Sequence, residues 1–270
     1  MELPDFSFEK KAWKRGFKTV AGVDEVGRGC FAGPVVAGCA VFNKRMSSAA
    51  LKSKYANNQI IINDSKRLSP KQREIADKWI RENALAVGIG QASVAQINKF
   101  GTKKASEIAF RLAIKVASKN LEDREAKRDN EVRKMKSEAR KLKIHNSKFI
   151  FPIQTSNFSH QTSIDYLLID AFYIPYVKGL RRRNQKAIVK GDTKSISIAA
   201  ASIIAKVYRD SLMTKLSNNS KFRIYKWGKN KGYGTKEHQK AIKKHGMTKL
   251  HRKAFVNTWS SKLEARNPKS

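Results

Sequence analysis

The sequence predicts an α/β domain, on three observations. Apolar runs of strand length recur along the chain, segments with helical periodicity or capping signals fall between them, and 270 residues with 40% hydrophobic content can enclose one sizeable core. Strands alternating with helices are the pattern of a sheet covered by helices. One main domain is expected over residues 1–256, with a basic helical insertion at about 121–145 and a basic tail at 257–270.

Residues 18–26 and 35–42 read as the first two strands. The connection between them, Gly27-Arg28-Gly29-Cys30-Phe31-Ala32-Gly33-Pro34, is rich in glycine, which tolerates tight turns and lets a partner approach the backbone. Ser69-Pro70-Lys71-Gln72 is a helix start, with Ser as N-cap, Pro at the first helical position and Gln reaching back to the cap. That helix is expected from about Pro70 to Arg81, followed by a strand from Ala84 to Gly90 and a helix over residues 102–120. Tyr166 to Asp170 reads as a buried strand ending in a carboxylate, and Ala187 to Lys190 as a shorter one before Gly191-Asp192. Ser195 to Met213 carries Ile203, Ile204 and Val207 at helical spacing. In the insertion, Val132, Met135, Ala139 and Leu142 keep a 3-4-3 spacing, an apolar seam on a charged helix. Two heptads are too few for a stable coiled coil alone. A protrusion packed lightly on the body and a solvated, frayed charged helix are both open.

Lys and Arg number 57 against 22 Asp and Glu, a formal charge of +35. Such a surplus favours a polyanionic partner, because each phosphate neutralised by a Lys or Arg releases a condensed counterion. An anionic membrane would call for an amphipathic or lipid-anchored segment as well, and none stands out. The longest strongly apolar run, Val35 to Phe42, is far short of the ~20 residues that span a bilayer. The first residues lack a basic stretch followed by an apolar one, so no secretory signal is read and a cytoplasmic location is expected. Cys30 and Cys39 have no metal-site companions and read as reduced, structurally minor thiols. His238, His245 and His251 lack zinc spacing and read as surface or packing residues.

The acids carry the chemistry. Asp24 and Glu25 are adjacent at the end of an apolar strand, Asp170 ends a second and Asp192 follows a third. Neighbours on a regular strand point to opposite faces, so two carboxylates reaching one site imply a strand end where the pleat breaks down. Like charges gathered together repel and raise each other's pKa, an arrangement tolerable mainly around a cation. Hard divalent ions such as Mg²⁺ or Mn²⁺ take oxygen ligands, and a pair of them roughly 4 Å apart can activate a water and stabilise a departing oxygen. Any one of these acids taken singly could equally be a cap or a salt-bridge partner.

The run Gly22-Val23-Asp24-Glu25-Val26-Gly27-Arg28-Gly29 through Val36 resembles the opening signature of the ribonuclease HII family. Further matching stretches are Asp64-Ser65-Lys66-Arg67-Leu68-Ser69, Leu168-Ile169-Asp170, and Lys190-Gly191-Asp192 running into Ile198 to Lys206. Gly232-Tyr233-Gly234-Thr235 and His251-Arg252 complete the set, in family order between about residues 18 and 256. The resemblance implies a ribonuclease H-like mixed β-sheet flanked by helices, with a helical C-terminal region. It implies an endonuclease, acting as a monomer, that cuts the RNA strand of RNA–DNA hybrids and incises duplex DNA at embedded ribonucleotides, leaving 5′-phosphate and 3′-hydroxyl ends.

Carried over by motif, Asp24, Glu25, Asp170 and Asp192 are the metal-binding catalytic acids. Gly27, Arg28 and Gly29 line a loop that senses the ribose 2′-hydroxyl, and Tyr233 packs against the following deoxyribose. Lys66, Lys190, Ser202 and Lys206 are phosphate contacts on the same analogy. Ser202 and Lys206, four apart on a helix, share a face. The chain departs from the family at Cys30-Phe31, where Pro-Leu is usual, and at Ala171-Phe172, where Gly or Asn usually follows the third acid. A ribonuclease HIII-like enzyme shares the fold and acids, but Gly27-Arg28-Gly29 favours HII. A non-catalytic nucleic-acid binder would explain the charge alone, yet carboxylates in a phosphate groove weaken binding unless they hold metal.

Overall fold

The computed structural model describes residues 3–42, 44, 60–141 and 163–266. Five strands, β1 (Val20–Val26), β2 (Val35–Phe42), β3 (Ala86–Ala92), β4 (Tyr166–Asp170) and β5 (Gln185–Ile188), form one sheet in the order β3-β2-β1-β4-β5. β2 runs antiparallel to β1 and β3, while β1, β4 and β5 are parallel, so the sheet is mixed. The helices in chain order are α1 (Ser7–Lys14), α2 (Pro70–Asn83), α3 (Val94–Lys141), α4 (Ile196–Asn218), α5 (Ser220–Arg223), α6 (Trp227–Asn230), α7 (Lys236–His245) and α8 (Lys253–Arg266). Both capping interactions expected at Ser69 form, which accounts for the start of α2 at Pro70.

Alternation along the strands divides the core. Val23, Ala37 and Cys39 face α3 through Ala109, Phe110 and Ala113. Ala40 and Phe42 face the other way, toward Ala200 and Ile204 of α4 and Trp79 of α2. On that second face, two glycines let α4 lie directly on the sheet. A Cβ at Gly22 would come within 2.1 Å of the Ser197 backbone, and one at Gly38 within 2.1 Å of the Ala201 carbonyl oxygen. This close approach brings the middle of α4 against the carboxylate of Asp24. The start of α4 is held from the N-terminal side, where α1 contributes the buried Glu9. Its carboxylate accepts from the hydroxyls of Ser195 and Ser197 and from the Ser197 amide, a favourable place for an acid at a helix start.

The helix expected at 102–120 and the charged insertion are one element. α3 breaks its helical dihedrals at Gly101 and then continues past Leu121, the last buried residue among those described, to Lys141. Residues 142–145 of the insertion lie outside the described residues. Arg124 ties the base of the extension to the start of β3, donating to the Ala84 and Leu85 carbonyls at 2.9 and 3.0 Å. Beyond it, the two seam residues whose side chains are described do not pack: Val132 and Met135 are 42% and 67% exposed. The solvated form of the insertion is therefore the one the described residues adopt. The expected tail also differs. Residues from 257 continue α8 to Arg266, because Trp259 packs on Phe31 with ring centroids 5.8 Å apart. Among the described residues, no helix is long and apolar enough to cross a membrane.

Candidate active site

β1 and β4 are parallel neighbours, paired from Val20 with Tyr166 to Val23 with Ile169, so Asp24 and Asp170 emerge at the same end of the sheet. β5 delivers the chain to the same end, and a short turn, Gly191–Thr193, carries Asp192. Asp24 is 5% exposed and Asp192 7%. Burial, and then the charges of Glu25 and Asp170, push the Asp24 carboxyl well above the usual carboxylate range. A hydrogen bond from Ser202 pulls partly the other way. Burial also raises Glu25, against the ion pair its Oε1 makes with Arg28 Nη1 at 3.1 Å. Asp192 is pushed up to about 6, first by burial and then by Asp64 and Asp170.

The sequence pattern places Asp64 in one of the matching stretches but gives that acid no role. Its electrostatic contact with Asp192 makes it a fifth carboxylate of the group. The signal is there, since Asp64 stands in the ordered set of motifs, but two basic neighbours, Lys66 and Arg67, give it the look of a surface salt bridge. Among the described residues, no three acidic, histidine or cysteine side chains converge closely enough, as they stand, to enclose one cation. Glu25 is turned to Arg28, and Asp170 Oδ1 accepts from the Gly191 amide at 2.7 Å. The donor set nonetheless fits a hard divalent ion: carboxylate oxygens whose mutual repulsion a positive charge would relieve. Each of these contacts engages one carboxylate oxygen and leaves the other for an ion.

The glycine connection after β1 is held by two arginines to which the sequence pattern assigns no role, although Arg252 stands in a matching stretch. Arg209 on α4 and Arg252 before α8 are both 0% exposed. Arg209 donates to the carbonyls of Pro34, Lys231 and Ala32 at 3.0, 2.8 and 3.1 Å. Arg252 donates to the Arg28 carbonyl at 2.7 Å and twice to that of Gly33, at 3.0 and 2.8 Å. Gly27 is required here on two counts: its φ is +91°, and a Cβ would lie 2.2 Å from Arg209 Nε. The amides of Phe31 and Ala32 donate to the Gly232 carbonyl, which sets the next residue, Tyr233, beside the connection. Tyr233 is 38% exposed, and the Lys206 ammonium sits 5.9 Å from its ring centroid. Phe31 fills the space over Gly234 and packs toward His238, which accommodates the departure from Pro-Leu.

The predicted phosphate contacts divide. Lys66 feels Asp64, Asp192 and Asp24, whose pull outweighs burial and leaves its ammonium above the ordinary value. Lys190, in the left-handed conformation at φ +55°, is exposed beside Asp192. Ser202 is different: it is 1% exposed, and its hydroxyl is shared between Asp24 and Ser65 Oγ, 2.9 Å away. It is a partner of the carboxylate rather than a surface for phosphate. Lys206 is likewise engaged, with its Nζ 2.9 Å from Asp210 Oδ1. His238 and His251 are packing residues, both buried, while His245 is exposed.

A family model described as ribonuclease HII matches residues 21–258. The chain is 39% identical over 258 residues to a ribonuclease HII of Wolbachia pipientis subsp. Culex pipiens (strain wPip), covering 95% of this chain and 98% of the relative. It is 35% identical over 249 residues to a ribonuclease HII of Clostridioides difficile (strain 630), covering 92% and 74%. In fold it is similar to ribonuclease H2 from Pyrococcus horikoshii OT3, with TM-score 0.51 and 23% identity over 93% of this chain and 100% of that one. It is also similar to Bst-RNase HIII solved in complex with Mn²⁺, with TM-score 0.54 and 17% identity over 93% and 71%.

Proposed function

Since the chain belongs to the ribonuclease HII family and is thus a ribonuclease H enzyme acting on RNA–DNA hybrids, we propose that it is a metal-dependent endonuclease that also incises duplex DNA on the 5′ side of an embedded ribonucleotide. The observation that carries this reading is the group of mutually repelling acids from β1, β4 and the 191–193 turn, at one end of the sheet. Mg²⁺ or Mn²⁺ held by Asp24, Glu25, Asp170 and Asp192 would supply charge stabilisation at the scissile phosphate and an activated water.

The chain's own residues supply the rest. Ser202 holds the Asp24 carboxylate in one orientation from the buried side, and Arg28 holds Glu25. Gly27 turns the chain, and the exposed backbone of Arg28 and Gly29, with open space where Gly29 lacks a side chain, approaches a ribose closely enough to use its 2′-hydroxyl as the mark of RNA. The half-exposed ring of Tyr233 faces the next sugar and disfavours a hydroxyl there. Lys66 and Lys190 neutralise phosphates flanking the acids. The exposed extension of α3 adds phosphate contacts away from the reacting bond.

Incubating the protein with a duplex that carries one ribonucleotide, with and without Mg²⁺ or Mn²⁺, tests the proposal. Expected are a single nick, a 3′-hydroxyl on the upstream fragment and a 5′-phosphate on the ribonucleotide. A cyclic phosphate would mean that the 2′-hydroxyl attacks, and metal-independent cleavage would remove the acids from the chemistry.

A further inference from the structure

The buried histidines His238 and His251 have no part in the chemistry above, yet their hydrogen bonds dictate the state of each ring. The His238 Nδ1 lies 2.8 Å from the Tyr233 carbonyl oxygen, which only accepts, so Nδ1 carries a hydrogen. The His238 Nε2 lies 3.1 Å from the Trp227 indole nitrogen, which only donates, so Nε2 is bare. His251 Nε2 is 3.1 Å from that bare nitrogen and must therefore donate to it. His251 Nδ1 in turn accepts from the Thr248 amide at 2.9 Å, as the same tautomer demands. Both imidazoles are thus neutral, and each has one permitted tautomer. A proton added to His238 Nε2 would face two donors already in place, and one added to His251 Nδ1 would face the Thr248 amide, with the Thr248 hydroxyl oxygen 3.0 Å away as its acceptor. Burial lowers the pKa of both rings, and His251 is lowered to about 4.

This chain of bonds joins two segments of the site. At one end is the backbone of Tyr233; at the other, residues 250–252 close on the glycine connection. Gly33 donates to Leu250, His251 bridges to Ala32, and the Arg252 amide donates to Phe31. The structure assigns His238 and His251 a positioning role: as a neutral, oriented pair they fix the spacing between the Tyr233 ring and the 27–33 connection. That spacing matters because, on the proposed function, the two elements read adjacent sugars, a ribose and then a deoxyribose. The inference rests on that proposal. A loosened pair should leave the acids untouched and blur the reading of the second sugar.

The test compares cleavage of a single-ribonucleotide duplex with cleavage of a uniform RNA–DNA hybrid. For His238→Phe, which keeps the packing volume but removes the bonds, the ratio of kcat/KM on the first substrate to that on the second should fall about five- to tenfold, the size of one missing hydrogen bond. His238→Gln, which can still donate to the Tyr233 carbonyl, should recover part of it. Equal losses on both substrates would reduce the pair to a structural role and overturn the inference. Tyr233→Ala separates the two levels. An unchanged ratio there overturns the sugar reading itself, whereas a changed ratio with His238→Phe unchanged overturns only the role of the pair. Imidazole ¹⁵N spectra of the unmodified protein at pH 7 provide a check independent of folding in the variants. A hydrogen on Nδ1 of His238 and Nε2 of His251 is expected, and the opposite tautomers or a charged ring would also overturn the inference.

Discussion

Asp24 and Arg252 are buried to a similar depth, 5% and 0% exposed, and both belong to the surroundings of one glycine-rich connection. They are kept there by opposite means. The guanidinium of Arg252 meets backbone carbonyls of Arg28 and Gly33, fixed dipoles pointing the right way. Asp24 meets one hydroxyl and the amide of Glu25 on its favourable side, and Glu25, Asp170 and Asp192 on the other. The first arrangement offsets the cost of burying a charge and closes the connection. The second leaves much of that cost standing, as expected of groups held for chemistry rather than stability. Substitution should therefore move activity and stability in opposite directions at the two places.

The largest effect is expected at Asp24. Asp24→Asn should lower kcat on an RNA–DNA hybrid by at least about 100-fold, on the scale of other losses of transition-state stabilisation, with hybrid affinity little changed. Near wild-type turnover would detach this acid from the site. Next is Arg252→Met, which strips the buried Gly33 carbonyl of both its donors and frees the carbonyl of the exposed Arg28. At about 1–3 kcal/mol for the buried carbonyl, the expected loss is at least about 1–3 kcal/mol, read from urea unfolding. A loss below about 1 kcal/mol, the lower bound for a single stranded carbonyl, would show that the two places are not built differently.

Asp192 sharpens the contrast by pH. Its pKa in the folded protein is raised to about 6 from an ordinary 3.8, so the stability it contributes is complete below 3.8 and is lost as pH rises through 6. In EDTA at pH 8, Asp192→Asn should thus melt higher than the parent, by about 2–6 °C for a chain of this size. The gap should narrow steadily toward pH 4.5. A gap that stays constant with pH would mean that charge repulsion is not its cause.

Ala171, directly after Asp170, sits at φ +63°, where an L side chain is strained. Ala171→Gly should stabilise the protein by about 0.5–1 kcal/mol without altering kcat, and a destabilised variant would locate the strain elsewhere. The smallest effect is expected on the exposed extension of α3. Replacing Lys127 and Arg128 by Gln should flatten the slope of log affinity against log salt by about 0.9 for each phosphate no longer neutralised, with kcat unaffected. An unchanged slope would leave the extension out of the binding surface.

The residues themselves determined what depends on near neighbours. β2 and β4 have the bounds that their apolar runs suggest, and the Ser69 capping box starts α2 where expected, because strand period and helix capping act within a few residues. Asp170 ends its apolar strand as expected, but Asp24 and Glu25 lie inside β1, still paired with Gly38 and Ala37 of β2, so the pleat does not break there. What brings Asp24 and Asp170 to one end is the parallel pairing of β1 with β4, which stops at Val23 and Ile169. Tertiary structure decided the partners. Arg252 stands in a matching stretch and Arg209 in none, but neither position shows a buried guanidinium, since their burial depends on carbonyls 219 and 175 positions away. Ser202 looked like a phosphate contact until the close packing of α4 over Gly22 and Gly38 turned its hydroxyl to Asp24. That the insertion continues the helix before it, with Val132 and Met135 exposed among the described residues, is visible only in the fold. The histidine tautomers likewise follow from donors on Trp227 and Thr248, which chain folding alone brings to the rings. A hydrogen bond's partner is set by approach in space, which a pattern of residue types along the chain does not encode.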